Sequence, residues 1–346
     1  MKALRALGLA ALALVAIAAC GSGAGADDGD DAPLTIRLGY FPNLTHAPAL
    51  VGLEQGFFAS ALGPGVTIES HTFNAGGDAV TAILSGSIDA TFVGPNPAVN
   101  AYYQSHGEAV RIISGATSGG ALLVVKPSIG SPAELKGTKI ADPQLGGTQD
   151  IALRWYLKQR GFRTDTTGGG DVSVLPESNS ITLNAFRQGQ IDGAWVPEPW
   201  AGRLVAEGGG KVLVDERDLW PGGQFETTNL MVSKQFLDAH PKRTKGLLEG
   251  LYQAVQFINA NPAQAQTITN DLVAGITGKR LAAGVVAAAW PHLNFTLDPL
   301  APTVKTSADH AHSLGLLANV DLSGLFDVTP LNQVLAEHSQ PAVSGL

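Results

Sequence analysis

Two indoles and a carboxylate stand within six residues at Trp195-Val-Pro-Glu-Pro-Trp200. A carboxylate beside aromatic rings can pair with a ligand cation while the rings exclude water from an apolar body. The two prolines around Glu198 fix φ and remove two backbone donors, which stiffens the corner. Pro199 also suits the first turn of a helix, where a missing N–H costs nothing. In open α/β sheets, ligands sit outside the carboxyl ends of the strands. The corner follows Gly189-Gln-Ile-Asp-Gly-Ala194, a turn leading into a short buried strand. The competing reading makes Trp195 and Trp200 core aromatics and Glu198 a solvated helix start.

An earlier segment has the same order. Leu84-Ser-Gly-Ser-Ile-Asp-Ala-Thr-Phe-Val-Gly-Pro-Asn-Pro97 gives a helix end, a Gly turn, Ile-Asp, an apolar strand and a Pro-rich corner. Phe186 to Pro199 repeats it, so the corners at Gly94–Pro97 and Val196–Pro199 lie roughly 100 residues apart, as in two related α/β lobes. Two facing corners make a cleft.

Other strand ends supply further candidates. Leu34–Phe41 alternates as a strand and runs into Pro42-Asn-Leu-Thr-His-Ala-Pro48 before an apolar-periodic helix over about Ala49–Phe58. Asn43, Thr45 and His46 therefore stand just before a helix N-terminus, where Asn43 or Thr45 could equally cap it. A second strand, Val66–Phe73, precedes Asn74-Ala-Gly-Gly-Asp78, and Gly76 and Gly77 let backbone approach a ligand closely. This stretch is too short for a Walker loop and lacks its Lys. Strand Ile88–Val93 ends at the Gly94-Pro95-Asn96-Pro97 corner, where Asn96 could equally cap the helix that follows. Strand Val110–Ser114 is followed by Gly115-Ala-Thr-Ser-Gly-Gly120, which adds Ser118 and Gly119. Gln144-Leu-Gly-Gly-Thr-Gln-Asp150 follows strand Thr138–Ala141 and opens a helix, so Thr148 and Gln149 sit where backbone amides bind anions. Thr227 begins a strand to Ser233 that returns to the first lobe. From Pro241 onward Leu247, Leu248, Leu251, Val255 and Ile258 share one helix face.

Composition limits the partners. Net charge is −8, and −10 without Lys2 and Arg5, which argues against nucleic acid and against an electrostatic hold on anionic lipid. It leaves room for a small anion bound by backbone amides. Residues 1–19 read as a targeting segment: Lys2 and Arg5, then an uncharged run over Ala6–Ala16 too short for a bilayer span. Cys20, the only cysteine, ends Ile17-Ala-Ala-Cys20, which resembles the lipobox of bacterial lipoproteins. Residues 20–33 read as a flexible tether with Asp27, Asp28, Asp30 and Asp31.

The chain resembles the solute-binding proteins of ABC importers, within them the aliphatic-sulfonate, taurine and nitrate group. The residues that carry this are Gly39-Tyr-Phe-Pro-Asn-Leu-Thr-His46, Glu54-x-Gly-Phe-Phe58, Phe73-Asn-Ala-Gly-Gly77, Gly86-Ser-Ile-Asp89, Gly94-Pro-Asn96, Asp142-x-x-x-Gly-Gly-Thr-Gln149, Gly189-x-Ile-Asp192 and Trp195-x-Pro-Glu-Pro-Trp200. They cover about residues 34–325 in order. The Pro-Asn-Leu-Thr-His stretch is not uniform among sulfonate binders, which leaves the substrate open.

The resemblance implies an α/β, two-lobe periplasmic-binding-protein fold of type II. Each lobe is a mostly parallel sheet flanked by helices, with the ligand cleft between them. Residues 34–123 and 226–346 are expected in lobe one and 124–225 in lobe two. The resemblance further implies a monomer that binds a small-molecule anion, is lipid-anchored through Cys20 on the extracytoplasmic face of the cell membrane, and delivers to a permease driven by a separate ATPase. Sulfonate oxygens fall to Thr45, His46, Gly76, Gly77, Asn96, Thr148 and Gln149. Glu198 pairs with a ligand amine, as in taurine binders, and Trp195 and Trp200 cover the alkyl part. Alternatives within the fold are nitrate or bicarbonate, a pyrimidine thiamine precursor, or a quaternary amine caged by the two Trp. An enzyme reading fails for want of a Ser-His-Asp spacing, an HExxH or a metal cluster. No cofactor, catalytic residue or metal is expected.

Overall fold

Alternating Leu34–Tyr40 pairs as β1 in a sheet that the chain leaves and later rejoins. The computed structural model describes residues 32–346, so the targeting segment, Cys20 and the tether through residue 31 lie outside the described residues. After β1 come a 3₁₀ turn at Leu44–His46, α1 (Ala47–Glu54), α2 (Phe57–Leu62), β2 (Val66–Thr72), α3 (Gly76–Leu84), β3 (Ala90–Val93), α4 (Pro95–Gln104) and β4 (Val110–Gly119). The second unit contains β5 (Ala121–Val125), β6 (Lys139–Asp142), α5 (Thr148–Gln159), β7 (Ser173–Pro176), α6 (Asn179–Arg187), β8 (Gly193–Pro197), α7 (Trp200–Ala206) and β9 (Lys211–Asp215). The chain returns through β10 (Glu226–Ser233), α8 (Lys234–Ala239), α9 (Pro241–Ala260), α10 (Pro262–Thr277), α11 (Ala283–Ala289), β11 (Leu293–Phe295), α12 (Ala301–Ser313) and α13 (Thr329–Glu337).

The strands form two sheets, ordered β11-β4-β10-β3-β1-β2 and β7-β6-β8-β5-β9. β1 is parallel to β2 and β3, and β6 is parallel to β7 and β8. β10 runs antiparallel to β3 and β4, and β5 to β8 and β9, each beside a point where the chain changes sheet; the short β11 runs antiparallel to β4 at the sheet edge. Apolar clusters cover both faces of each sheet, as near-continuous apolar strands such as Ala121–Val125 require. The expected face of α9 is buried from Leu247 to Ile258, each Leu contributing about 1.5–3 kcal/mol over exposure. An Asp at Leu251 would break this packing.

Three boundaries differ from expectation. The helix expected over Ala49–Phe58 is split at Gly56, whose φ of 69° ends one helix and lets Phe57 and Phe58 start the next. The strand from Val110 runs on to Gly119, because β10 pairs with it as far as Ser118. The chain enters the second sheet at Ala121, a few residues before the expected boundary at 123, with the switch made at Gly119 and Gly120, both at positive φ.

Candidate functional site

The ends of β1, β3, β6, β7 and β8 and the start of β10 converge on a small, partly open cavity of about 50 Å³ between the sheets. That is room for a few atoms beyond a single water. Asn43, Thr45 and His46 line it from the turn before α1. Gly76 does so from the start of α3, Thr148 and Gln149 from the start of α5, and Thr227 from β10. The structure adds Phe41, Asn74, Gln144, Asn179 and Thr228 to this wall. Asn179 opens α6 just past the end of β7, so the strand-end rule that found the other loops also marks it.

No Asp, Glu, Lys or Arg side chain lines the cavity. Its electrostatics come from helix termini. α3, α5 and α6 start at the wall, and none of their N-cap side chains caps its helix. First-turn amides left without a side-chain cap present positive partial charge to the space they face. The Thr148 and Thr228 hydroxyls and the Asn179 side-chain oxygen are buried without a partner. An unpartnered buried polar group is costly, so these atoms are poised for a ligand.

His46 is 3% exposed, and burial lowers its pKa to about 3, so the ring is neutral. Its Nδ1 accepts from the Phe41 amide at 3.3 Å, which leaves the proton on Nε2 as a donor. The Pro143–Gly147 loop is held from behind. Asp142 accepts from the Gln144 amide (3.0 Å), Asp150 accepts from the Gly146 amide (2.9 Å), and Arg154 binds Asp150 at 2.6 Å. Burial, then the neighbouring Asp150 carboxylate, pushes Asp142 well above the usual carboxylate range.

Six expected contacts are corrected. Trp195 is fully buried in the core of the second sheet, its indole N–H donating to Glu216 at 2.7 Å and its ring edge-on to Tyr156. Glu198 is 1% exposed and already occupied: one oxygen accepts from the Gly202 amide at 2.9 Å and the other meets His292 Nδ1 at 2.8 Å. It does not line the cavity, so no carboxylate there awaits a ligand amine. Asn96 lies inside α4 rather than at its cap and bonds Ser307 at 2.7 Å. Ser118 and Gly119 serve the crossing between sheets, accepting from the Phe225 amide (3.1 Å) and the Thr227 hydroxyl (2.6 Å). Gly77 stands beside the cavity, but its amide is taken by the Gln144 side chain at 2.8 Å.

Trp200 lies on the rim. Its indole N–H donates to Asn43 across the cleft at 3.0 Å, and it lines a neighbouring cavity of about 560 Å³ that shares Phe41, Asn43, Asn74 and Asn179 with the small one. Arg203 and Lys279 also face this larger space, both paired with Glu207.

Comparison with known proteins agrees with this architecture. A model of the NMT1-like family matches residues 29–273. The taurine-binding periplasmic protein of Escherichia coli K12 is 29% identical over 215 residues, 62% of this chain and 64% of that protein. The chain thus spans just under two thirds of that relative. A putative aliphatic sulfonates-binding protein of Bacillus subtilis is 24% identical over 96% of this chain and 98% of its own. The bicarbonate-binding protein CmpA of Synechococcus elongatus is 26% identical over 67% of this chain and 55% of its own. Among solved structures, the alkanesulfonate-binding protein SsuA of Xanthomonas axonopodis pv. citri, bound to MOPS, shares the fold with a TM-score of 0.71 at 21% identity, covering 86% of this chain and 99% of that one.

Proposed function

The chain belongs to the NMT1-like family, and from that premise we propose that it is the solute-binding component of an ABC importer, capturing a small organic oxyanion and delivering it to the permease. The observation that carries this is the convergence of the N-termini of α3, α5 and α6 on a cavity with no charged side chain; none is capped by its own N-cap side chain, and the Gly77 amide of α3 is taken by Gln144. Such a site favours an anion through amides and hydroxyls alone. The solute we propose is an aliphatic sulfonate. Its head would take the small cavity and its carbon chain the larger one past Asn43 and Trp200. An amino-sulfonate gains nothing here from Glu198, which is bonded to His292 and Gly202. The small volume also favours a second reading, a lone planar oxyanion such as bicarbonate or nitrate.

No helix among the described residues is long and apolar enough to cross a membrane. We assign membrane attachment to a lipid on Cys20, so Cys20→Ser should release the protein from membranes while ligand binding persists. Retention of this variant in the membrane would remove the anchor. Isothermal titration of ethanesulfonate, longer alkanesulfonates, bicarbonate and nitrate tests the solute. Affinity that rises with chain length supports the sulfonate reading, and binding of the planar anions alone replaces it.

A further inference from the structure

Gln144 belongs to the loop of the second unit, yet its side chain reaches the first. Its Oε1 accepts from the Gly77 amide at 2.8 Å, in the first turn of α3. The Asn100 side chain donates to the Gly146 carbonyl at 3.4 Å beside it. The approach is tight: a Cβ added at Gly77 would stand 2.1 Å from Gln144 Nε2. Beyond this contact lies an outer groove of about 400 Å³, and the groove and the small cavity share Pro97, Gln144 and Gly147 as walls. The small cavity therefore has two neighbours. One is the larger space beyond Asn43 and Trp200, and the other is the groove behind Gln144.

Resting on the anion reading above, we infer that Gln144 is a specificity-determining gate. Its amide closes the groove side when the lobes meet, so the ligand head is kept small and its chain leaves only past Asn43 and Trp200. The backbone of Gln144 is fixed by Asp142, which leaves the side chain alone to open or shut this wall. The α3 terminus contributes Gly77 to closure rather than to the ligand.

The test compares ethanesulfonate with benzenesulfonate by titration of the full chain carrying Cys20→Ser, with and without Gln144→Ala. The variant should move the affinity ratio toward benzenesulfonate by at least about 10-fold. Gly77→Ala, which displaces the same side chain, should move it in the same direction. Gln144→Glu keeps an acceptor for the Gly77 amide and should hold the wild-type ratio while weakening both ligands. An equal loss for both ligands in Gln144→Ala would overturn the gate. A readout that needs no ligand accompanies it: Thr148→Cys labelled with methanethiosulfonate reagents of graded size. Gln144→Ala should speed labelling by the bulky reagent about 10-fold, and an unchanged rate would again overturn the gate. If the wild type binds neither sulfonate but labelling accelerates, the anion reading fails and the gate stands.

Discussion

Thr148 has a hydroxyl that is buried, without a partner, and within the wall of the small cavity. If a ligand oxygen is its partner, removing the hydroxyl has opposite effects on the two states. Thr148→Val should leave the free protein as stable or raise it by about 1 kcal/mol, since an unsatisfied buried group is lost. It should weaken an anion by about 10- to 100-fold, the worth of a hydrogen bond to a charged group. Thermal melting and titration on one sample check both signs. At Glu198, Gln should change the affinities for taurine and ethanesulfonate alike, within about 2-fold of each other. A selective loss of taurine would place the carboxylate at the ligand after all. The sequence showed Glu198 at a rigid strand-to-helix corner. Its partner His292 stands 94 residues further along, and nothing local announces that pairing. Trp195 was ambiguous for a related reason. β8 is buried on both faces, so alternation does not tell which side chains face the cleft and which the core.

At the scale of elements, helix starts after strand ends were readable, and they set most of the small cavity. Pro and Gly punctuation located α1, α3 and α5; α6, read from the sequence as a helix over Ile181–Gln188, starts two residues earlier at Asn179, which is why that pattern does not single out Asn179. Close approach of elements was not readable. A Cβ at Gly94 would stand 2.5 Å from the Thr148 hydroxyl, so the start of α4 meets the start of α5 only because residue 94 lacks a side chain. Gly94→Ala should fold but close poorly. Overpacking of about 1–3 kcal/mol at this contact corresponds to roughly 10- to 100-fold weaker binding with little change in the melting point of the free protein. The 3₁₀ turn after β9 makes a separate prediction. Glu216 is buried between the Trp195 and Trp220 indoles, and burial raises its pKa to about 7. The unfolded chain releases this proton first, near the ordinary value of 4.5. Stability from this group is therefore complete below about pH 4.5 and lost as pH rises toward 7. Glu216→Gln should flatten the fall in melting temperature over that window, and an unchanged pH profile would contradict the assignment.

For the molecule as a whole, the two-sheet architecture followed from repeated strand-corner motifs, but the contacts between the units did not. Trp200 with Asn43, Gln144 with Gly77 and Asn100 with Gly146 all depend on how the units meet, and each joins residues remote in sequence. These bonds describe a closed clamshell, in which a ligand stabilises the arrangement that encloses it. The net charge of −8 gives an anion no overall attraction, so recognition rests on the local field of the helix termini. The most direct test of that claim is a thermal-shift comparison of the chain from Gly21 onward with ethanesulfonate, bicarbonate, nitrate and betaine. An oxyanion at 100 times its dissociation constant should stabilise the protein by about 2.7 kcal/mol, with no shift from betaine. Stabilisation by betaine with none by any oxyanion would contradict the account.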